Sequence, residues 1–150
     1  LADFSNSIRS IRPIRVLSLL AKDQIMTETK FAAKVKRHVV ARVDEIKPGE
    51  RRVVEVDGRE IGVFNLDGEF YALLNYCPHR AGPLCHGRLR PLVTAESVNQ
   101  VAYGREGEIL KCPWHQWEFD IKTGQALFDE RLRVKSYGVG VEAGEVVIYM

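Results

Sequence analysis

The sequence predicts an all-β protein, a small antiparallel β-sandwich or barrel. Three observations carry that expectation. From residue 37 onward, short runs rich in Val, Ile and aromatic residues recur at close spacing. Two-residue turn signals such as Asp57-Gly58 and Asp67-Gly68 separate them. The same region contains no long stretch with apolar residues at the helical period. Strands at this spacing, bounded by turn chemistry, are the pattern of small sandwiches and barrels.

The elements follow in order. Residues 37–43 and 51–56 are Val-rich, with Pro48-Gly49 marking the turn between them. Asp57-Gly58 is a hairpin signal leading into residues 60–66, which hold Ile61, Val63 and Phe64. Asp67-Gly68 turns the chain again into residues 69–75, with Phe70, Tyr71 and two Leu. Later strands are expected at 108–111, 117–120, 132–141 and 145–149. Lys122-Thr123-Gly124 supplies one turn, and Ala143-Gly144 closes the last hairpin. Residues 91–101 read two ways, and Thr94 is placed to cap one short helical turn there. No repeat with a period of 20–50 residues is visible.

A chain of 150 residues, 45% hydrophobic and 28% charged, has the make-up of one ordinary globular domain with a tail. Twenty-two Lys and Arg against 20 Asp and Glu leave a formal charge of +2, too small a bias to predict nucleic acid or an anionic membrane as partner. The apolar stretch at residues 16–21 is interrupted by Ser18 and is far too short to span a bilayer. Three Cys, at 77, 85 and 112, form no plausible disulfide framework. Reduced thiols or metal ligands are the better readings, and the expected location is cytoplasmic.

Residues 1–36 read as a tail, disordered or holding one loose helix, without direct function. Arg9, Arg12, Arg15 and Lys22 face only Asp3 and Asp23 in the first 25 residues, and Pro13 interrupts any helix through Ile8, Ile11 and Ile14. Met26 reads as the true start, so that the preceding residues are upstream sequence translated from a misplaced start. An Arg- and Ser-rich targeting peptide and a genuine disordered arm are the alternatives. The functional domain is expected over residues 37–149.

Two boxes carry the chemistry: Cys77-Pro78-His79 and Cys112-Pro113-Trp114-His115. Each offers one thiolate and one imidazole. Together they make a two-sulfur, two-nitrogen set that suits tetrahedral zinc or an iron–sulfur cluster with mixed ligands. Finger-type zinc sites usually group two Cys in one box and two His in the other. Here each box is mixed. A cluster with two Cys on one iron and two His on the other needs loops that each straddle it.

The longer motifs resemble the Rieske [2Fe–2S] family. Cys77-Pro78-His79-Arg80-Ala81-Gly82-Pro83-Leu84 is similar to the first cluster loop. Cys112-Pro113-Trp114-His115-Gln116-Trp117-Glu118-Phe119-Asp120, with Thr123-Gly124, is similar to the second loop and its exit strand. The resemblance implies a Rieske-like β-fold with a two-loop cluster-binding subdomain. It implies one [2Fe–2S] cluster, with Cys77 and Cys112 on one iron and His79 and His115 on the other at the exposed tip. The segment between the boxes is longer than in compact members, which implies a surface excursion around residues 89–103. Gln116 stands where Gly is common.

High-potential members carry a further Cys in each box and a Ser hydroxyl near the cluster. The matching positions here are Gly82, Trp114 and Trp117. Without that hydroxyl the added electron is less stabilised, which implies a potential toward the low end of the Rieske range, on the order of −150 mV. The resemblance is therefore to soluble members: ferredoxin components of ring-hydroxylating oxygenases, or the small subunit of assimilatory nitrite reductase. With only His38 and His86 left over, no mononuclear 2-His-1-carboxylate iron site is expected. The implied function is one-electron transfer between a flavoprotein reductase and a terminal oxygenase or reductase, with no substrate transformed by the chain itself. An accessory or regulatory Rieske subunit and a zinc-binding interaction module are the competing readings.

The remaining candidates have plainer expectations. Cys85 reads as a buried thiol acting as a small apolar residue. His86 reads as a loop residue and His38 as an edge side chain. Trp117, at the start of a strand, reads as ordinary packing, whereas Trp114 suits packing or an apolar docking rim. Arg80, Arg88 and Arg90 form either a solvated face or a basic rim for an acidic redox partner. Pro78, Pro83 and Pro113 stiffen the loops, and Gly82 and Gly124 are expected in turn conformations.

Overall fold

The computed structural model describes residues 35–150. The expected tail and the start at Met26 lie outside the described residues, apart from the last two positions of the tail. Nine strands follow: β1 (Arg37–Arg42), β2 (Arg51–Val56), β3 (Arg59–Leu66), β4 (Glu69–Leu74), β5 (Arg88–Ser97), β6 (Gln100–Lys111), β7 (Glu118–Asp120), β8 (Ser136–Glu142) and β9 (Glu145–Tyr149). Short 3-10 turns occupy Val43–Glu45 and Leu84–His86. The antiparallel all-β expectation holds. One sheet has six strands in the order β1-β9-β8-β4-β3-β2, and the other has three in the order β5-β6-β7. Among the described residues no helix is long and apolar enough to cross a membrane.

Turn chemistry sets the hairpins. Asp57 and Gly58 (φ 47° and 72°), Asp67 and Gly68 (53° and 96°), and Ala143 and Gly144 (49° and 81°) all sit in the left-handed region. Two consecutive residues of that kind make the type I′ turn, whose twist matches that of the strands it joins. The β3/β4 turn is tied further by Asn65. Its Oδ1 accepts from Gly68 N at 2.8 Å, while its Nδ2 donates to Ile46 O at 2.7 Å.

The pleat of β3 sorts its side chains into two cores. Ile61 and Val63 join a core with Ala41, Ile46, Val56, Ala72, Val146 and Ile148. Phe64 and Leu66 point the other way, into a core with Leu73, Leu84, Leu110, Phe119, Ile121 and Val134. Residues 61–66 are all buried, so β3 is covered on both faces. The second core lies between the two sheets, and Cys77 and Cys112 belong to it. The candidate ligand loops therefore grow directly out of close-packed interior.

Residues 91–101 correct the expected helical turn. They complete β5 and begin β6 around a turn at Asn99 (φ 67°). Thr94 has no helix to cap, because its flanks pair as strands: Val93 faces Tyr103 and Ala95 faces Val101. The surface excursion is this β-ribbon. Its register shifts between Arg90 and Leu92, where residues 105–108 bulge opposite Pro91. Proline has no N–H to give the ladder, which suits it to such a break. Arg105 and Gly107 take positive φ in the bulge. Arg105 anchors it through Asp120 (2.5 Å) and Glu108 (2.6 Å).

Candidate metal centre

Two loops form the site. The first runs from the end of β4 to the Leu84–His86 turn, and the second joins β6 to β7. They close with the same backbone pattern. Cys77 N donates to Gly82 O (2.9 Å), and Ala81 N donates to Cys77 O (2.9 Å). Cys112 N donates to Trp117 O (2.8 Å), and Gln116 N donates to Cys112 O (3.1 Å). In each loop the fifth residue takes the left-handed conformation: Ala81 at φ 59° and Gln116 at φ 64°. Gln116 thus adopts the conformation that a glycine would reach without strain.

Two glycine expectations resolve differently. Gly124 is left-handed (φ 73°), as a turn residue should be. At Gly82 the left-handed residue is its neighbour, Ala81. A Cβ at Gly82 would instead meet the Trp114 ring at 3.1 Å, so that the ring would have to shift by a few tenths of an ångström.

Packing holds the first loop. Asn75 Oδ1 accepts from Cys85 N at 2.7 Å, and its Nδ2 donates to Glu60 Oε2 at 2.9 Å. Cys85 is fully buried, with its Sγ 3.6 Å from Leu73 O. A Cβ at Gly62 would overlap Cys85 Sγ at 2.5 Å, so that glycine leaves room for the thiol. Burial pushes the Cys85 thiol up to about 12. It lies in the apolar interior as a neutral group.

The four expected donors come as two pairs. The Cys77 and Cys112 thiols adjoin one another. The His79 and His115 rings stand edge to face with centroids 4.5 Å apart. Both Cys are buried, while His115 is exposed and His79 half-buried. Among the described residues, no three His, Cys, Asp or Glu side chains converge as a single-ion site requires. A thiol pair beside an imidazole pair matches a two-iron centre, where each iron takes two like ligands.

Electrostatics agree with that fit. Burial raises the Cys77 thiol above its usual range, and the neighbouring Cys112 thiol pushes the same way. Backbone N–H groups of His79 and Arg80 oppose both. Two adjacent buried thiols ionise together only with a compensating cation, and a coordinated metal supplies one. His79 is shifted down, first by desolvation and then by His115 and Arg80. Its imidazole is therefore neutral, the form that coordinates metal. The Nδ1 atom of His79 is buried without any hydrogen-bond partner. An orphaned buried acceptor calls for an explanation, and a metal ligated there would provide it.

Sequence reasoning missed the role of Trp117. It does more than pack at the start of a strand. Its indole stacks on the His79 ring with centroids 4.1 Å apart and planes 12° from parallel. Phe128 meets Trp117 edge-on at 4.5 Å and is itself 54% exposed. Trp114 is 56% exposed, with its ring edge to face with His115 at 6.4 Å. The aromatic content of Trp117 and Phe128 was the available signal, but their distance along the chain from His79 concealed the contact. His38 lies on β1 with its Nε2 3.7 Å from Asp57, away from these loops.

Fold and donor set together define a class, the all-β proteins that hold a mixed-ligand iron–sulfur cluster. Residues 36–138 match the Rieske [2Fe–2S] domain family. The chain is 33% identical over 109 residues to the ferredoxin component of the naphthalene 1,2-dioxygenase/salicylate 5-hydroxylase systems of a Ralstonia species, covering 72% of this chain and 89% of that protein. It is 28% identical over 109 residues to the ferredoxin component of the alkene monooxygenase system of Xanthobacter autotrophicus, covering 73% and 77%. Its fold is similar to the ferredoxin of carbazole 1,9a-dioxygenase from Nocardioides aromaticivorans IC177, with a TM-score of 0.58, 30% identity, and coverage of 75% of this chain and 96% of that one. The chain belongs to the Rieske [2Fe–2S] family. Its cofactor is a Rieske [2Fe–2S] cluster, and its function is electron transfer.

Proposed function

We propose that Cys77 and Cys112 bind one iron of the cluster and His79 and His115 the other. The observation that carries this is the pairing of donors by type, with His79 Nδ1 buried and unpartnered. The cluster supplies reversible one-electron chemistry. The chain's residues bind it, shield its thiolate side in the core, and leave the His115 edge toward solvent.

In this reading residues 37–149 form a carrier domain that takes single electrons from a flavoprotein reductase and passes them to a terminal oxygenase. It works in the cytoplasm and transforms no substrate by itself. The ferredoxin components of oxygenase systems among its relatives support the choice of acceptor.

Electron paramagnetic resonance of anaerobically purified, dithionite-reduced protein tests the ligand set. A rhombic signal with average g below that of all-cysteine clusters is expected, and it should vanish in Cys77→Ser, Cys112→Ser, His79→Ala and His115→Ala variants. A variant that keeps the full signal removes that residue from the ligand set. Colourless, fully metallated protein containing zinc would overturn the electron-transfer reading.

A further inference from the structure

We propose that the face around the two loops is a cationic docking surface, built for a redox-partner protein that presents a cluster of carboxylates. This rests on the cluster reading above.

Charge is distributed unevenly along the chain. Residues 70–95 contain Arg80, Arg88 and Arg90 and no Asp or Glu. Residues 109–117 contain Lys111 and again no carboxylate. These two segments are the candidate ligand loops with the adjoining parts of β4, β5 and β6; the remaining parts of the flanking strands carry Glu69, Glu96, Arg105, Glu106, Glu108, Glu118 and Asp120. The other described residues carry twelve Lys and Arg against seventeen Asp and Glu. The ligand loops and the strand ends that join them thus carry cations and no carboxylate, while the rest of the described residues are net acidic.

The strand register sets Arg88 beside Lys111 on the face away from the core. Arg88 lies opposite Lys111, which lies opposite Glu118, while Arg90 lies opposite Ile109. The intervening row, Leu89, Leu110 and Phe119, faces the core. Arg88 and Arg90 are exposed on the outer face. Lys111 reaches Glu118 at 3.4 Å. Among the described residues no carboxylate lies within ion-pair distance of Arg80, Arg88 or Arg90. Arg88, Lys111 and His86 line an open cleft of about 320 Å³ that reaches Cys112, Pro113 and Gln116 of the second loop. A partner carboxylate seated there would lie directly beside the site.

Unpaired cations around an exit point steer an acidic partner and orient it before contact. The occupant is a protein surface rather than a small anion, because Arg80 and Arg90 lie outside the cleft lining and widen the basic area past it.

The test uses the holoprotein and two probes of opposite charge. Reduced flavodoxin, a small acidic flavoprotein, donates one electron to the oxidised cluster, and no bond forms or breaks. Hexaammineruthenium(III), a cation, takes one electron from the reduced cluster. Stopped-flow rates are measured at low and high ionic strength. With flavodoxin the rate should fall as salt rises, and in R88E/R90E it should drop about tenfold or more at low salt. With hexaammineruthenium(III) both trends should reverse. If the Glu variant does not load its cluster, R88Q/R90Q should give an intermediate loss. Equal salt dependence with both probes, or unchanged rates in the variants, overturns the proposal. So does self-association at low salt that R88E/R90E abolishes, since that assigns the face to a second copy. The resonance signal of the same sample separates the readings: absence of a cluster defeats the function proposed above, whereas a loaded cluster with charge-blind kinetics defeats only this one.

Discussion

The Trp117 indole covers one face of the His79 imidazole at 4.1 Å, nearly parallel, while the edge of His115 meets His79 at 77°. The ring of a candidate ligand is thus held by two aromatic contacts, with Phe128 bracing Trp117 from outside. Ring orientation decides where Nδ1 points. Stacked and edge-on pairs contribute about 0.5–1.5 kcal/mol each beyond area burial.

Trp117→Ala should therefore broaden the resonance signal of the reduced protein and shorten the half-life of the cluster in air. Trp117→Phe should restore most of both. An unchanged line shape and half-life in the Ala variant would show that the stack does not position His79.

The reduction potential should lie toward the low end of the Rieske range, on the order of −150 mV. The resemblance to the family puts Trp117 where high-potential members have a Ser hydroxyl, and Gly82 and Trp114 where they have a loop-bracing disulfide. A redox titration followed by resonance checks this, and a potential well above zero would contradict it.

Gly87 and Gly58 should respond differently to Ala. A Cβ at Gly87 would fall inside the Lys111 carbonyl, where backbone of β6 cannot yield cheaply. Gly87→Ala should separate the loops, with loss of the cluster and a large fall in the thermal midpoint. At Gly58 nothing lies within 4 Å, and only the positive φ of 72° is strained. Gly58→Ala should cost about 1 kcal/mol and keep the cluster. Thermal unfolding with visible absorbance reads both.

Cys85 predicts an alkaline dependence. Its folded-state value of about 12 lies above the roughly 8.5 of an unfolded thiol. The unfolded chain then gives up the proton first as pH rises. The stabilising contribution is complete below about 8.5 and declines as pH climbs toward 12. Cys85→Ala should flatten stability over that interval, measured by denaturant midpoint. In folded protein at mildly alkaline pH, iodoacetamide should leave Cys85 unmodified.

Glu108 predicts the acid side. Lys122 first, and then Arg105, hold its carboxylate below the usual range. Its contribution is present above the unfolded value of about 4.3 and is lost as pH falls through the lower folded value. Glu108→Gln should reduce that acid-dependent loss, read from denaturant midpoints between neutral and acidic pH.

Much of this molecule is specified locally. Asp-Gly pairs favour left-handed turns, and Gly144 supplies one left-handed position of the last turn, so the hairpins were legible, and with them the antiparallel all-β class. The boxes around Cys77 and Cys112 were legible because ligand type and short spacing are properties of contiguous chain. Residues 91–101 were not, since a run with one Thr cap and no long period favours no local conformation. Pairing of residues 92–97 with residues 100–104 decided it, and that pairing is a contact between strands.

Contiguous chain thus accounts for the hairpins, the donor set and its family. The arrangement and covering of those donors came only with long-range packing. Folding placed thiol beside thiol and imidazole beside imidazole, set Trp117 flat on His79, and put the left-handed residue of the first loop at Ala81 rather than Gly82. It also gathered Arg88 and Lys111, far apart along the chain, onto one outer face through strand register. Turns and ligand boxes depend on neighbouring residues. Stacking, desolvation and the sum of charge over a surface depend on which distant segments share a wall.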